Sequence, residues 1–104
     1  RRRGPCREDV IVIVMSCMIQ IYIGDSRSLK DKRQVISSLK ERIHNRFNAS
    51  VAEVADQELW QRAELGVAVV SSAVQHCDEM LAKIVNFIEG DHRVQLLDYQ
   101  MEVH

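Results

Sequence analysis

Four histidines (His44, His76, His92 and His104) and three cysteines (Cys6, Cys17 and Cys77) are the residues with which this chain could hold a metal or attack an electrophile. Their spacing supplies neither chemistry. No histidine stands at i, i+3 or i+4 from a second histidine or a cysteine. His76 and Cys77 are neighbours and point apart on a helix, whereas a metal needs ligands that converge. No two cysteines sit at metal or redox spacing. Cys17 and Cys77 fall at positions predicted to be buried, where cysteine behaves as a small hydrophobe, which points to a reducing, cytoplasmic compartment. No serine lies in a strand-turn-helix nucleophile elbow, and Ser28 is better explained as a helix cap. The expectation is a protein that is not an enzyme, with no cofactor and no metal.

Phosphate chemistry has two candidate places. Gly24-Asp25-Ser26-Arg27-Ser28 joins a strand to a helix N-terminus, where free N–H groups attract anions. Acylphosphatases build a phosphate cradle at such a junction. They use a glycine-rich loop and an asparagine on the second strand. This loop has one glycine, and Asn48 precedes the strand, so the segment reads as a turn. The second place is the helix that follows. Residues 27–46 hold seven basic and two acidic side chains, and residues 47–104 hold three basic and ten acidic ones. The helix is therefore expected to form a positive stripe on an acidic protein. Arg27, Lys30, Lys32, Arg33, Lys40, Arg42 and Arg46 are the candidate phosphate contacts.

Trp60 stands among Asp56, Gln57, Glu58, Gln61 and Arg62. A tryptophan set among so many polar groups fits either a recognition anchor or a lid over a sheet end. Arg62 joins it as a candidate contact, and Glu53, Asp56, Gln57 and Glu64 form a candidate polar cluster.

The elements that must position these residues follow from apolar periodicity. Residues 10–23 alternate apolar and mixed positions and predict a strand. Arg1-Arg2-Arg3 before that run resembles the start of a signal peptide. The alternation and the lack of a small-residue cleavage site favour the strand. Residues 28–47 predict a helix with Leu29, Ile36, Leu39, Ile43 and Phe47 on one face, opened by Ser28 and Asp31 in a capping-box pattern. Strands are predicted over 49–55 and 62–71, joined by a loop of about six residues, longer than the commonest two. A second helix over 73–89 carries Val74, Cys77, Leu81, Ile84 and Ile88, and Gly90 stops it. A last strand over 93–103 places Leu97, Tyr99, Met101 and Val103 on one side. The order β-α-β-β-α-β predicts an α+β, ferredoxin-like sandwich: a four-stranded antiparallel sheet with two helices on one face. Residues 10–104 are expected to form this single domain, and 1–9 a disordered N-terminal extension. No apolar run approaches the roughly 20 residues that span a bilayer, so no membrane partner is expected. RNA-recognition motifs on such sheets stack bases on aromatics of the first and third strands. Here the third strand has none, and Tyr22 is the only outward candidate.

Three stretches, RSLKDKR at 27–33, RFNASVAEV at 46–54 and DQELWQRAELGVAVVS at 56–71, resemble the YlxP-like family of small bacterial proteins, long labelled a domain of unknown function. The match covers residues 12–104. Its motif residues here are Arg27, Ser28, Leu29, Lys30, Lys32, Arg33, Glu53, Asp56, Gln57, Trp60, Arg62 and Glu64. The chain departs from the pattern at residues 1–9 and at Gly24, where a proline is common. The resemblance implies a cytoplasmic ferredoxin-like domain and brings no catalytic residues. The family's genes commonly lie beside those for translation initiation and ribosome maturation, which implies a ribosome- or RNA-associated role.

The sequence therefore leads to a non-enzymatic factor that binds ribosomal RNA or a ribosomal particle through its basic first helix. Two alternatives stand beside it. One is a homodimer formed through an open sheet face carrying Met18, Tyr22, Ala68, Val70 and Leu96. The other is a regulatory domain that binds a small anion at residues 26–29.

Overall fold

The computed structural model describes residues 10–104. The extension expected over 1–9 lies outside the described residues. Six elements follow in the order β1 (Ile13–Tyr22), α1 (Leu29–Arg46), β2 (Ser50–Ala55), β3 (Arg62–Ser71), α2 (Val74–Glu89) and β4 (Gln95–Val103). All strand pairs are antiparallel, in the sheet order β2-β3-β1-β4. This is the expected α+β, ferredoxin-like arrangement.

The period of two in β1 decides which side of the sheet the helices cover. Met15, Cys17, Ile19 and Ile21 point to one face and are buried. The register Cys17↔Val67, Ile19↔Leu65 and Ile21↔Ala63 sets the buried row of β3 beside them. Ile36, Leu39 and Ile43 from α1 and Cys77, Leu81, Ile84, Val85 and Ile88 from α2 close the core over that face. Burying each such side chain stabilises the fold by about 1.5–3 kcal/mol. The opposite face, with Ser16, Met18, Gln20 and Tyr22 on β1, has no layer over it among the described residues.

Four details differ from expectation. Residues 10–12 do not extend β1, because β3 ends at Ser71 opposite Ile13 and offers them no partner. Val74 is exposed, and the buried face of α2 begins at Cys77. A bulge opposite Gln20 and Ile21 makes Leu97 an extra residue in β4. Leu96 therefore pairs with Ile21 and packs against the core, so it does not belong to the open face. Finally, Lys32 is fully buried, in the position of α1 between Leu29 and Ile36. Among the described residues no helix is long and apolar enough to cross a membrane.

Candidate functional site

The start of α1 is capped from within. Ser28 is the N-cap, its backbone extended, and its Oγ accepts a hydrogen bond from the Asp31 N–H at 3.1 Å. The Asp31 carboxylate in turn accepts from the Arg27 N–H at 3.0 Å. A carboxylate thus already sits at the positive end of the helix, where an added anion would meet like charge.

Lys32 leaves the same turn and runs into the protein. Its Nζ donates to the carbonyl oxygens of Asp56 (2.6 Å) and Arg62 (3.0 Å), the two ends of the loop between β2 and β3. It also lies 2.8 Å from Glu53 Oε2, in a side-chain pair that is 1% and 18% exposed. That contact is an ion pair without the direction of a hydrogen bond, and among the described residues Glu53 Oε2 has no hydrogen-bond partner. An ammonium taken out of water survives only when oxygens replace its hydration, and three protein oxygens do so here. Lys32 is therefore no phosphate contact; it closes a loop.

Other side chains fix the same loop. Asp56 adopts a left-handed backbone, φ 61°, which Asp tolerates better than most residues. Its carbonyl also accepts from the Leu59 N–H at 3.0 Å. The Gln57 amide donates to the Glu53 carbonyl at 3.1 Å. The Gln61 amide donates to the carbonyls of Gly24 and Ser26 at 3.1 and 3.2 Å, and the Gln61 carbonyl accepts from the Ile23 N–H at 2.8 Å. The loop is stapled to α1 on one side and to the turn after β1 on the other. Its tip is left in water: Leu59 is 47% and Trp60 56% exposed, and both help line a shallow groove with Glu58, Gln61 and Arg62.

The expected contacts separate into groups. Arg27, just before the Ser28 cap, and Lys30 and Arg33, in the first turns of α1, are exposed at the end of the molecule that carries Trp60 and Arg62. Lys40 is half-buried beside Glu41, His44 and Val51. Arg42 and Arg46 lie one turn apart near the other end of α1. Their guanidinium carbons lie 5.2 and 5.3 Å from the centroid of the Phe87 ring on α2, within cation–π reach. Phe87 meets Phe47 edge to face at 5.7 Å. Arg42 also pairs with Asp91 at 3.3 Å, and Asp91 is held more closely by Arg93 at 2.6 Å. The hydrogen bonds from Arg93 hold the Asp91 carboxyl down at about 2, against the opposing effect of burial. The expected polar cluster assembles only in part: Glu53, Asp56 and Gln57 meet around the Lys32 ammonium and the start of the loop, and Glu64 does not join them. Glu53 lies on the helix face of the sheet, opposite Leu65, whereas Glu64 lies on the open face beside Gln20. Adjacent strand residues point to opposite sides.

Two serine–histidine pairs are present. Ser16 Oγ and His104 Nε2 are 2.6 Å apart, and Ser71 Oγ and His76 Nδ1 are 2.9 Å apart. Glu102 approaches His104 at 3.9 Å, on the same nitrogen that meets Ser16. In a catalytic relay the acid holds the other nitrogen. Burial pushes the Cys17 thiol up, away from the reactive thiolate. No group of three His, Cys, Asp or Glu side chains converges among the described residues.

Sequence reasoning missed the structural work of Lys32 and Gln61. The signal for Lys32 was present: 29, 32, 36, 39 and 43 form one unbroken apolar-spacing stripe, with a lysine in its second place. Gln61 carried no such signal, because its partners are backbone carbonyls that only the fold brings near.

A ferredoxin-like scaffold that closes its helix cap with its own carboxylate and presents a stapled tryptophan loop beside surface arginines belongs to the small α+β domains. The chain belongs to the family described as "Protein of unknown function (DUF503)", whose model matches residues 14–101. It is similar to the "Uncharacterized protein YlxP" of Bacillus subtilis (strain 168), with 38% identity over 71 residues, covering 68% of this chain and 77% of that protein.

Proposed function

We propose that this protein is a non-enzymatic cytoplasmic factor that associates with ribosomal RNA or a ribosomal particle. Its contact surface is the end of the molecule that carries the exposed first turns of α1 and the loop after β2. The observation that carries this reading is Trp60, 56% exposed at the tip of a loop whose two ends are both held by Lys32. An exposed indole exposes apolar area to water, and holding it rigid prepays the ordering that binding would require. Bases stack on such a ring without regard to sequence, and Arg27, Lys30, Arg33 and Arg62 at the same end supply phosphate contacts.

Trp60 is the only tryptophan of the chain, so its fluorescence reports on this surface alone. Titration with single-stranded RNA and with ribosomal subunits at low salt should quench it. Changing Arg27, Lys30 and Arg33 together to Gln should flatten the slope of log affinity against log salt by about 2, since each phosphate contributes roughly 0.7. Lys32 is left out of this set because it never reaches solvent. Unchanged fluorescence with every RNA and subunit would overturn the reading.

The open sheet face supports a second reading, a homodimer. Met18, Val54 and Val70 are each close to half exposed or more there, with Tyr22 at its edge. Glu64, Asp98 and Glu102 also line that face, so two copies laid face to face would bring acids together. A clean monomer by light scattering at high concentration would remove it.

A further inference from the structure

The other end of α1 carries a different arrangement. Arg46, Phe47, Lys83, Asn86 and Phe87 line an open groove between α1 and α2. No acidic side chain lines it. The guanidiniums of Arg42 and Arg46 are both drawn onto the Phe87 ring, and Phe47 braces that ring from its edge. Two like charges one helical turn apart repel, yet the ring holds them together and limits the conformations of both side chains.

Neutralisation is uneven among these cations. Arg42 has Asp91, which Arg93 already shares. Among the described residues, neither Arg46 nor Lys83 has a carboxylate within 4 Å. Lys83 stands four residues after Glu79, where a helical ion pair would form. Glu79 instead accepts from the Gln75 amide at 3.3 Å. Among the described residues, the groove thus presents two uncompensated cations, one neutral amide and an aromatic wall, on two helices packed on one core.

We propose that this groove is a phosphate-binding site, in which Arg46 and Lys83 pair with phosphate oxygens, Asn86 donates its amide, and Phe87 holds the guanidiniums in place. Guanidinium is the group that grips phosphate in a planar fork. The phosphate belongs to an RNA backbone, on the function proposed above, or to a free polyphosphate. Lys30 and Arg46 are sixteen residues apart on one helix, about 24 Å at 1.5 Å per residue. On the first source, the groove is therefore a second anchor for a strand whose base stacks on Trp60.

The test uses the full chain with two probes, a single-stranded oligouridylate and inorganic tripolyphosphate. The Arg42 and Arg46 Nε–H resonances and the Phe87 ring resonances report on the groove, while Trp60 fluorescence reports on the loop. Arg46→Gln with Lys83→Gln removes both cations at exposed positions, and Phe87→Leu removes the platform while keeping an apolar side chain. Melting curves confirm that each variant is folded. If the groove holds RNA phosphate, the double variant flattens the salt slope by about 1.4 and the loop still quenches. If the groove holds only free polyphosphate, tripolyphosphate shifts the groove resonances in the wild type and not in the double variant, while RNA shifts nothing. That outcome keeps the site with free polyphosphate as its ligand and overturns the groove as an RNA anchor, while Trp60 quenching decides the loop surface separately. If RNA quenches Trp60 but neither probe moves the groove resonances and the slope is unchanged, the groove proposal is overturned and the loop surface stands. No response to either probe overturns both.

Discussion

Lys32→Met separates an architectural lysine from a surface one. Methionine keeps nearly the length and flexibility of the lysine stem but removes the ammonium. In the structure that ammonium answers three oxygens at 2.6, 3.0 and 2.8 Å, and its side chain is 1% exposed. Its removal leaves the Glu53 carboxylate, itself only 18% exposed, with no opposite charge, and it takes a donor from the carbonyls of Asp56 and Arg62. Breaking a buried pair from one side costs about 3–5 kcal/mol. For a domain of this size each kcal/mol moves the melting temperature by about 4–8 °C, so the midpoint should fall by more than about 10 °C. Urea unfolding followed by circular dichroism measures the loss, and Trp60 anisotropy measures the release of the loop. Lys32→Met combined with Glu53→Gln should recover part of the stability, because the orphaned charge is then gone. Lys30→Gln and Arg33→Gln, one helical turn of the same sequence but exposed, should stay within about 0.5 kcal/mol. A Lys32→Met protein that loses less than about 1 kcal/mol and keeps the Trp60 anisotropy would refute the argument that Lys32 holds the loop.

Leu39→Ala and Leu81→Ala, each at a fully buried position under the sheet, should each destabilise by about 2–5 kcal/mol in urea unfolding. Trp60→Ala should leave the melting temperature nearly unchanged and weaken RNA binding; a variant that loses cooperative melting would mark the indole as core. Asp91 gives a pH signature. Its folded value of about 2 lies below its ordinary 3.8, so its stabilisation is present above about pH 4 and is lost as pH falls through about 2. Asp91→Asn should therefore cost about 2 kcal/mol at neutral pH, and calorimetry should show the gap to wild type closing between about pH 4 and pH 2.

The sheet and both helices were legible because one physical rule governs them: each element buries one face, and its period shows in the sequence. The rule failed where a neighbour, not the residue itself, decides. β1 alternates from residue 10, but a strand extends only as far as its partner, and β3 ends opposite Ile13. β4 alternates in sequence with Leu97 on the apolar side, but the bulge turns Leu96 to the core in its place. Nothing local in that run marks the extra residue, since the register is set by Gln20 and Ile21 across the sheet.

The candidate site was legible as a set of residues and not as a set of roles. Reading charge alone placed Lys32 with Lys30 and Arg33 in one positive stripe, although their fates in the fold are opposite. Helical angle settles the matter: Lys32 shares its face with Ile36, Leu39 and Ile43, and a lysine on that face must bring oxygens with it or not be charged. The oxygens come from β2 and from both ends of the loop after it. Several motif residues therefore have a structural explanation that needs no ligand. Ser28 caps α1, Lys32 pairs with Glu53 and closes the loop, Asp56 turns the chain in a left-handed conformation, and Gln57 ties back to β2. Among the described residues, what this network does not use is the side chain of Trp60, with the side chains of Arg27, Lys30, Arg33 and Arg62 at the same end. Side chains that hold nothing in place, carried on a segment that so many others hold, are where a partner has something left to recognise.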